Sequence, residues 1–486
     1  MLPRLIIPLL IFSLMPAVPP VAHGAEPGDG EVSDGEPDRG SDGEPDAPAH
    51  AWQLWLRAEE GYRFRHASAP RVETVVGDED PEAPGPEADH DLRLLLAGGL
   101  ADPTDRFAVD LSTALWWDLD GVPASREPSA LRSVQDGTTT PVWFDVFSLH
   151  GEYRSPGALA LARVGRQTAD HGRQVVFDGG ALRLRLIDPQ LELFAFGGRK
   201  HHFFEIDDDY FEDWLASAGA VVRPLPGLRL EVDYRFLEED TLEREGLMQH
   251  SYGAAAWFLH DDWLRLRAHF RGLDDRPSRA GGAAGLEWVA GELGLELSAD
   301  AQLVTLGETG ELDDPFFSVL GESLPHVLAR AELWKAFTTH AGVYTAHAGW
   351  DGRILTEHDP TLFNRDHGRV YLWLQAVDIG VAGPFAGVVG EYHYTHRASG
   401  LPADDLFTVG GSLGWDRRPV RVELGTDYAR FKYDYYVDVE ERADVRTYFA
   451  DVGAWPLDWL RVRVRYELEQ FDRTVHTALL TLTQTY

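Results

Sequence analysis

The chain has 486 residues, contains no cysteine and carries a formal net charge of −36 at pH 7. The lack of cysteine excludes disulfides, haem attachment through CxxCH, iron–sulfur clusters held by cysteine and cysteine nucleophiles. No HExxH or phosphate-binding glycine loop occurs, and we expect no enzyme, no cofactor and no metal centre. The negative charge argues against nucleic acid as a partner.

Residues 1–24 have the pattern of a secretory signal peptide. A single basic residue, Arg4, precedes the apolar run Leu5 to Met15, and Ala22-His23-Gly24 forms a small-x-small cleavage site. The apolar run is too short to remain in a membrane as a helix. The pattern predicts an exported protein whose mature chain begins near Ala25.

Residues 25–49 are predicted to form an acidic, disordered linker. The stretch Glu26 to Asp46 holds nine carboxylates and one arginine, and it contains the sequence SDGEPD twice, at Ser33 and at Ser41. Because it has no aromatic residue and much glycine and proline, it cannot bury enough apolar surface to fold. Acidic blocks such as Glu73 to Asp91 also lie between candidate strands, so much of the negative charge belongs to the tail and the loops.

Residues 50–486 are predicted to form one transmembrane β-barrel. We count 22 candidate strands of about 10 to 13 residues, the length that a tilted strand needs to cross a bilayer, and expect a barrel of about 18 to 22 strands. No later stretch reaches the roughly 18 consecutive apolar residues of a transmembrane helix. A β-sandwich of this length would form several domains, and no linker divides residues 50–486. The predicted fold class is therefore all-β, a single antiparallel up-and-down barrel of the outer-membrane type.

The connections between candidate strands alternate between short and long. The short ones are rich in Pro and Asp, as tight turns should be, and comprise Ala101 to Asp105, Ile187 to Gln190, Pro224 to Gly227, His260 to Asp262 and Pro456 to Asp458. The long ones include Ser68 to Asp89, Gly121 to Thr140, Thr305 to Pro325 and Gly352 to His367. Outer-membrane barrels have short periplasmic turns and long external loops, so the pattern predicts an even number of strands and both chain ends in the periplasm.

Apolar and polar side chains alternate within the clearest strands. Successive side chains of a strand point to opposite faces, so the apolar face is predicted to contact lipid and the charged face to line water. The apolar sets are Phe107, Val109, Leu111, Leu115 and Trp117, then Leu228, Leu230, Val232, Tyr234 and Phe236, then Leu264, Leu266, Ala268 and Phe270. Tryptophans near strand ends are predicted to lie in the aromatic girdles at the two membrane interfaces, namely Trp52, Trp117, Trp214, Trp263, Trp415 and Trp459.

The segment Ala162 to Leu186 resembles one element of the alginate-export family of outer-membrane porins. In that element a Gly-Arg-Gln at the end of a strand is followed by a glycine-containing loop and by a Phe-Asp-Gly that opens the next strand. Here these residues are Gly165-Arg166-Gln167, Gly172 and Phe177-Asp178-Gly179. The resemblance covers about 25 residues of the chain and implies the porin fold more than it implies a particular substrate.

Arg166 and Asp178 are expected at the mouth ends of two adjacent strands. There they can pair and hold the loop Thr168 to Val176 inside or over the pore. A structural ion pair is at least as compatible with these residues as a contact with substrate.

The final stretch, Trp459 to Tyr486, also alternates and ends on an aromatic residue. Leu460, Val462, Val464, Tyr466 and Leu468 fall on one face, whereas Arg461, Arg463, Arg465, Glu467 and Glu469 fall on the other. The stretch resembles the closing strand of bacterial outer-membrane proteins, whose final aromatic residue is read by the barrel assembly machinery. This resemblance implies outer-membrane lipid and that machinery as partners.

Charged side chains on the predicted inner faces are the candidate pore-lining residues. Arginine outnumbers lysine there, and guanidinium groups bind carboxylate and phosphate bidentately at any pH, so a series of arginines offers successive sites for an anionic chain. The alternative is that arginines and carboxylates pair across strands and brace a general pore. The candidates are Arg57, Arg63, Arg166, Arg183, Arg185, Arg229, Arg235, Arg265, Arg267, Arg271, Arg461, Arg463, Arg465 and Asp178.

These observations together predict an outer-membrane channel of a Gram-negative bacterium. We expect passive transport of small anionic solutes or of an acidic polysaccharide, because fixed arginines on the inner wall offset the acidic loops. Three other functions stay open, namely a general diffusion porin, a plugged structural barrel and an outer-membrane enzyme with a triad assembled from strand ends.

Overall fold

The computed structural model describes residues 52–68, 87–120, 141–171, 174–201, 213–239, 247–261, 263–288, 292–305, 324–356, 366–395, 406–434 and 440–486. The predicted signal peptide, residues 1–24, and the predicted linker, residues 25–49, lie outside the described residues. Both assignments therefore stay predictions.

The described residues form a single sheet of 22 antiparallel strands. The strands are β1 Gln53–Ala67, β2 Glu87–Ala101, β3 Phe107–Asp118, β4 Val142–Arg154, β5 Leu159–Thr168, β6 Val176–Ile187, β7 Leu191–Lys200, β8 Trp214–Leu225, β9 Leu228–Glu239, β10 Leu247–His260, β11 Leu264–Leu273, β12 Arg276–Trp288, β13 Leu293–Gln302, β14 His326–Thr339, β15 Gly342–Leu355, β16 His367–Val377, β17 Pro384–Thr395, β18 Leu406–Arg417, β19 Val420–Asp434, β20 Glu440–Leu457, β21 Leu460–Gln470 and β22 Thr474–Thr485. Among these residues no helix is long and apolar enough to cross a bilayer.

The sheet closes on itself. Each strand pairs with its neighbours in sequence, and β1 pairs with β22 as well as with β2, in a register that sets Arg57 opposite Thr485 and Ala67 opposite Val475. An even number of antiparallel strands brings the start of β1 and the end of β22 to the same end of the barrel. The predicted all-β, up-and-down barrel of the outer-membrane type is confirmed, at the upper limit of the predicted strand number.

The two ends of the barrel differ in their connections. All ten connections at the end that holds the chain termini, here called the turn end, are short, and they include the five predicted tight turns. At the opposite end, the loop end, the predicted alternation of short and long connections is incomplete, because residues 169–175, 274–275 and 471–473 join their strands through short segments. The strands also extend further than predicted, so that Pro456 and residues 352–355 belong to β20 and β15.

Aspartate shapes several of the turns. Asp105, Asp261, Asp274 and Asp378 adopt positive φ angles between 45° and 55°, a region in which Asp is tolerated better than most residues. Asp102 accepts hydrogen bonds from the Thr104 hydroxyl at 2.5 Å and from the backbone N–H of Phe107 at 2.7 Å. These bonds, led by the one from Thr104, lower the pKa of Asp102 and fix the start of β3.

A charge placed on the lipid-facing side of β21 should destabilise the barrel. Val464 lies near the middle of β21 and 47% of its surface is exposed. We expect Val464→Arg to lower the free energy of unfolding by about 2–4 kcal/mol, because an arginine at the bilayer midplane lacks water and partners. Denaturant titration of the barrel refolded into lipid vesicles measures the change.

The control is Thr483→Arg on the neighbouring strand. Thr483 is opposite Arg461 and Glu59 in register and faces the other side of the sheet. We expect this change to alter stability by no more than about 0.5 kcal/mol. A larger loss for Thr483→Arg than for Val464→Arg would show that the two faces are assigned the wrong way round.

Candidate functional site

The charged face of the sheet is the inner face of the barrel. A closed wall spreads the side chains on its convex side and crowds those on its concave side. Leu54, Val164 and Leu413, all on the apolar face, are 73%, 69% and 62% exposed. Asp91 and Asp451 on the charged face are 4% and 3% exposed. The apolar face is therefore the outer, lipid-facing surface, as the sequence pattern predicted, and the charged residues line the interior.

Strand register places most of the predicted pore-lining residues on this inner face. They are Arg57, Arg63, Arg183, Arg185, Arg229, Arg235, Arg265, Arg267, Arg271, Arg461, Arg463 and Arg465. Most of them lie within 4.0 Å of a carboxylate, in the pairs Arg57 with Glu59, Arg63 with Asp91, Arg183 with Glu192, Arg185 with Asp188, Arg229 with Glu231, Arg265 with Glu287, Arg271 with Asp233, Arg463 with Asp451 and Arg465 with Glu467. Arg235 is buried at 6% exposure.

These ion pairs brace the wall. Arg63 donates from Nε to Asp91 at 2.8 Å across β1 and β2, and Arg463 donates from Nε to Asp451 at 2.8 Å across β20 and β21. Since each guanidinium faces a carboxylate, its field in the channel is largely cancelled at a distance. Removal of one member would leave a half-buried charge without its partner, which costs more than the pair itself contributes.

Two of the predicted arginines differ from the rest. Arg267 on β11 is exposed, and no carboxylate of the described residues lies within ion-pair distance of it. Arg461 on β21 is half-buried and its guanidinium lies 5.0 Å from the centre of the Trp455 ring, again without a carboxylate partner in the described part of the chain. These two side chains keep a net positive charge available to the channel.

Arg166 and Asp178 form the predicted pair at the loop end of β5 and β6. Nε and one terminal nitrogen of Arg166 donate to the two carboxylate oxygens of Asp178, each at 2.7 Å. Arg166 also donates to the Val146 carbonyl at 3.0 Å and lies 3.2 Å from His201, whose ring is 3.6 Å from Asp145. A bidentate pair with this many further contacts is a structural element of the rim.

The strand alternation is interrupted beside this pair. Gly165 has φ 122°, and a side chain there would place its Cβ 2.2 Å from the Leu149 carbonyl oxygen. Gly179, opposite Gly165 in register, would meet the Gly197 carbonyl at 2.1 Å. Only glycine fits at both positions, so the simple parity rule does not fix the direction of Arg166 and Asp178.

The described residues of the loop between β5 and β6, 169–171 and 174–175, fold into the barrel. Ala169 belongs to a buried apolar cluster that includes Phe177, Phe194, Phe196 and Leu215 on the inner faces of β6, β7 and β8. Phe177 is fully buried, whereas the rest of the inner wall is largely charged. The prediction that the paired rim holds this loop inside or over the pore agrees with its inward position.

The tip of this loop is attached to the wall by polar contacts. His171 stacks on Phe194 with ring centres 4.5 Å apart, and its Nδ1 lies 3.5 Å from Glu231. Asp170 lies 3.1 Å from the guanidinium of Arg163 on β5. The loop therefore covers the inner wall from β5 to β9 and narrows the channel on that side.

The loop tip borders Trp257, an aromatic residue that lies between two arginines in register and is here called, with them, the Trp257 site. Arg229 lies 4.8 Å above the Trp257 ring, and its terminal nitrogen is 3.5 Å from His171. Trp257 is opposite both Arg229 and Arg267 in register. The site combines a flat apolar surface, one paired guanidinium and the unpaired Arg267, which suits a ring that carries a negative group.

Sequence reasoning missed the loop cluster and the Trp257 site. The segment Leu191 to Phe196 indicates an apolar cluster inside the barrel, because Phe194 and Phe196 lie on the face that is predicted to be charged. The partners Arg163, Asp170 and His171 were not singled out. Their roles depend on the direction of the loop, which a strand pattern does not encode.

Three carboxylates at the loop end come close enough to hold a metal ion. The ligand oxygens of Asp89, Asp118 and Asp120 lie within 4.8 Å of one another. Asp89 already accepts from Arg65 at 2.6 Å, and Asp118 accepts from the Asp120 backbone N–H at 3.2 Å. We assign no metal to this cluster.

No family model and no curated protein matches the chain. Among solved structures, the chain is similar to a BenF-like porin from Pseudomonas fluorescens Pf-5, at 10% identity and a TM-score of 0.44, over 90% of this chain and 98% of that one. It is also similar to the outer membrane protein OpdK from Pseudomonas aeruginosa, at 10% identity and a TM-score of 0.41, over 89% and 98%. A third similar structure is the P pilus usher (PapC) translocation pore, at 7% identity and a TM-score of 0.48, over 88% and 99%.

Release of the loop tip should make the channel current fluctuate. The double variant Asp170→Asn, His171→Ala removes the ion pair to Arg163 and the stacking on Phe194, which are together worth on the order of 1–2 kcal/mol. We expect the displaced loop to be populated about tenfold more. Single-channel recording should show more frequent steps to a higher conductance.

The matched control is Asp188→Asn at the turn end. Asp188 also forms an ion pair, 3.3 Å from Arg185, and neither residue is among the contacts of the loop described above. We expect its current traces to equal those of the unchanged protein. Quiet traces from the double variant would mean that the loop tip does not border the conducting path.

Proposed function

We propose that this protein is a passive channel of the outer membrane that prefers anionic solutes. The proposal is carried by one observation, that Arg267 on the inner wall is exposed, lies opposite Trp257 in register and has no carboxylate of the described residues within ion-pair distance. Where the channel is narrowed, one uncompensated guanidinium acts on a passing ion at short range. An anion is attracted at this point and a cation is repelled.

The chemistry of the Trp257 site supports a ring-bearing anion as the preferred solute. The indole face offers a surface on which a sugar or an aromatic ring packs, and the guanidiniums of Arg229 and Arg267 offer donors to a carboxylate. Small anionic solutes and the uronate units of an acidic polysaccharide both fit this description.

A general diffusion pore is the second candidate, and the ion pairs favour it. A wall in which Arg63, Arg271 and Arg463 are each neutralised by a carboxylate has little net field over most of its length. Such a channel would discriminate by size more than by charge. Catalysis is not part of the proposal, because inner carboxylates such as Asp91, Asp451 and Glu332 serve as acceptors for arginine, histidine or tyrosine.

The proposed location follows from the outer surface. A continuous belt of exposed leucine, valine and aromatic side chains surrounds a closed barrel, and lipid is the solvent that such a belt requires. We propose the outer membrane, reached through the predicted signal peptide and the barrel assembly machinery. Tyr486, the terminal aromatic residue, stacks on Trp459 with ring centres 5.3 Å apart at the turn end.

The anion preference should depend on Arg267. In a planar bilayer with a salt gradient, we expect the unchanged protein to give a reversal potential of the sign for anion selectivity. We expect Arg267→Gln to lower the anion-to-cation permeability ratio at least about threefold, since a unit charge roughly 6 Å away in water is worth ~0.7 kcal/mol. Heat-modifiable gel mobility reports whether the variant is folded.

The control removes a complete ion pair two residues away on the same face. Arg265 pairs with Glu287, and the double variant Arg265→Gln, Glu287→Gln leaves the local net charge unchanged. We expect its permeability ratio to match that of the unchanged protein. Cation selectivity of the unchanged protein would refute the anion channel, and equal effects of both variants would refute the role of Arg267.

A further inference from the structure

A cross-strand pair of tyrosine and histidine recurs on three pairs of neighbouring strands. The tyrosine hydroxyl lies 2.7 Å from Nδ1 of the histidine in Tyr62–His90, 2.6 Å in Tyr234–His250 and 2.7 Å in Tyr466–His476. The strands are β1 and β2, β9 and β10, and β21 and β22. The ring centres are 6.1 Å, 6.1 Å and 6.2 Å apart, so the three pairs share one geometry.

The register of each pair is also the same. The residues opposite the tyrosines in register are Leu92 for Tyr62, Tyr252 for Tyr234 and Ala478 for Tyr466. In each case the histidine lies two residues before this opposite residue in the sequence. A fourth tyrosine, Tyr428 on β19, donates to Asp444 on β20 in this same arrangement. Four repeats of one diagonal contact indicate a selected surface pattern.

All these pairs lie on the lipid-facing surface near the loop end. Tyr234 and Tyr466 are 47% and 41% exposed and share their face with the exposed leucines and valines. His90, His250 and His476 are each the third or fourth residue of a strand that starts at the loop end. This position is about 10 Å from the start of the strand at the loop end, near the depth where a bilayer passes from hydrocarbon to headgroups.

Three histidines lie on neighbouring strands where the barrel closes, here called the histidine row and consisting of His476, His66 and His90. His66 and His476 stack with ring centres 6.2 Å apart, and His90 packs against Phe64 at 4.9 Å. Arg446 on β20, two strands from His476, is exposed on the same face and lies opposite Gln470 in register. The surface therefore offers cationic and hydrogen-bonding groups in a chain with a net charge of −36.

The geometry assigns this row as a binding site for a phosphate group of a lipid in the outer leaflet. When the tyrosine hydroxyl donates to Nδ1, the ring hydrogen of His90 and of His476 is on Nε2, which points away from the tyrosine and can donate to an acceptor. Phosphate oxygens are strong acceptors, and the acyl chains of such a lipid would lie along the apolar belt below. Anionic headgroups are held at membrane surfaces by cationic and donor side chains of this kind.

The test uses the full barrel in detergent and lipid A with two phosphates as the probe. Native mass spectrometry gives the bound fraction at each lipid concentration. We expect the triple variant His66→Phe, His90→Phe, His476→Phe to bind lipid A about tenfold more weakly or worse, because the rings remain while the donors are lost. Monophosphoryl lipid A should bind the unchanged protein more weakly than the form with two phosphates.

A histidine at the other end of the barrel supplies the control. His260 is the last residue of β10, lies at the turn end and is 54% exposed in its side chain. We expect His260→Phe to bind lipid A as the unchanged protein does. If the triple variant fails to fold, His66→Phe alone serves, since it interrupts the middle of the row and should weaken binding about threefold or more.

Three results would overturn the assignment. The first is unchanged binding by the folded triple or single variant, and the second is an equal loss in His260→Phe. The third is displacement of lipid A by millimolar inorganic phosphate, which would make the row a site for free anions. Channel selectivity plays no part in this experiment, so its outcome is independent of the proposed transport.

Discussion

The backbone hydrogen bonds that join β1 to β22 are the constraint on which the rest of the structure depends. In hydrocarbon every N–H and C=O without a partner costs several kcal/mol, so a sheet can cross a membrane only when it has no free edge. Here the closure continues to the last residue, where Tyr486 exchanges two backbone bonds with Leu56, at 2.8 Å and 3.0 Å. At the loop end, Ser68 donates from its backbone to Thr474 at 2.8 Å and completes the seam. The closed cylinder then divides all side chains between lipid and the interior.

The interior is stabilised by ion pairs and hydrogen bonds, and some of these contacts skip a strand. Arg271 on β11 reaches Asp233 on β9 at 3.5 Å, and the intervening strand β10 has glycine, Gly253, at that row. A Cβ at Gly253 would lie 2.4 Å from the Asp233 carboxylate, so the missing side chain makes room for the contact. Tyr371 on β16 reaches Glu332 on β14 at 2.8 Å over Gly349 in a similar way. The wall is thus a network wider than neighbouring strands, and the few guanidiniums left outside it set the field of the channel.

The sequence predicted the strand number and the facing of most strands because alternation is a local property. In β21, the two-residue repeat of apolar and charged side chains directly predicts that Val464 faces lipid and that Arg463 faces the interior. The Arg166–Asp178 pair was predictable because the two strands are consecutive. Pairs such as Arg271 with Asp233 were not, since they depend on register across three strands. The inward direction of the loop at His171 was equally out of reach, because it rests on an apolar cluster gathered from four strands.

The alternation of environments along one strand is the central claim, and a cysteine scan of β21 tests it most directly. The chain has no cysteine, so single substitutions at positions 461 to 466 give an unambiguous background. In lipid vesicles, a water-soluble thiol reagent should label positions 461, 463 and 465 and leave 462, 464 and 466 unreacted. Labelling of the even positions instead, or of all six equally, would contradict the account of a lipid-facing belt around a charged interior.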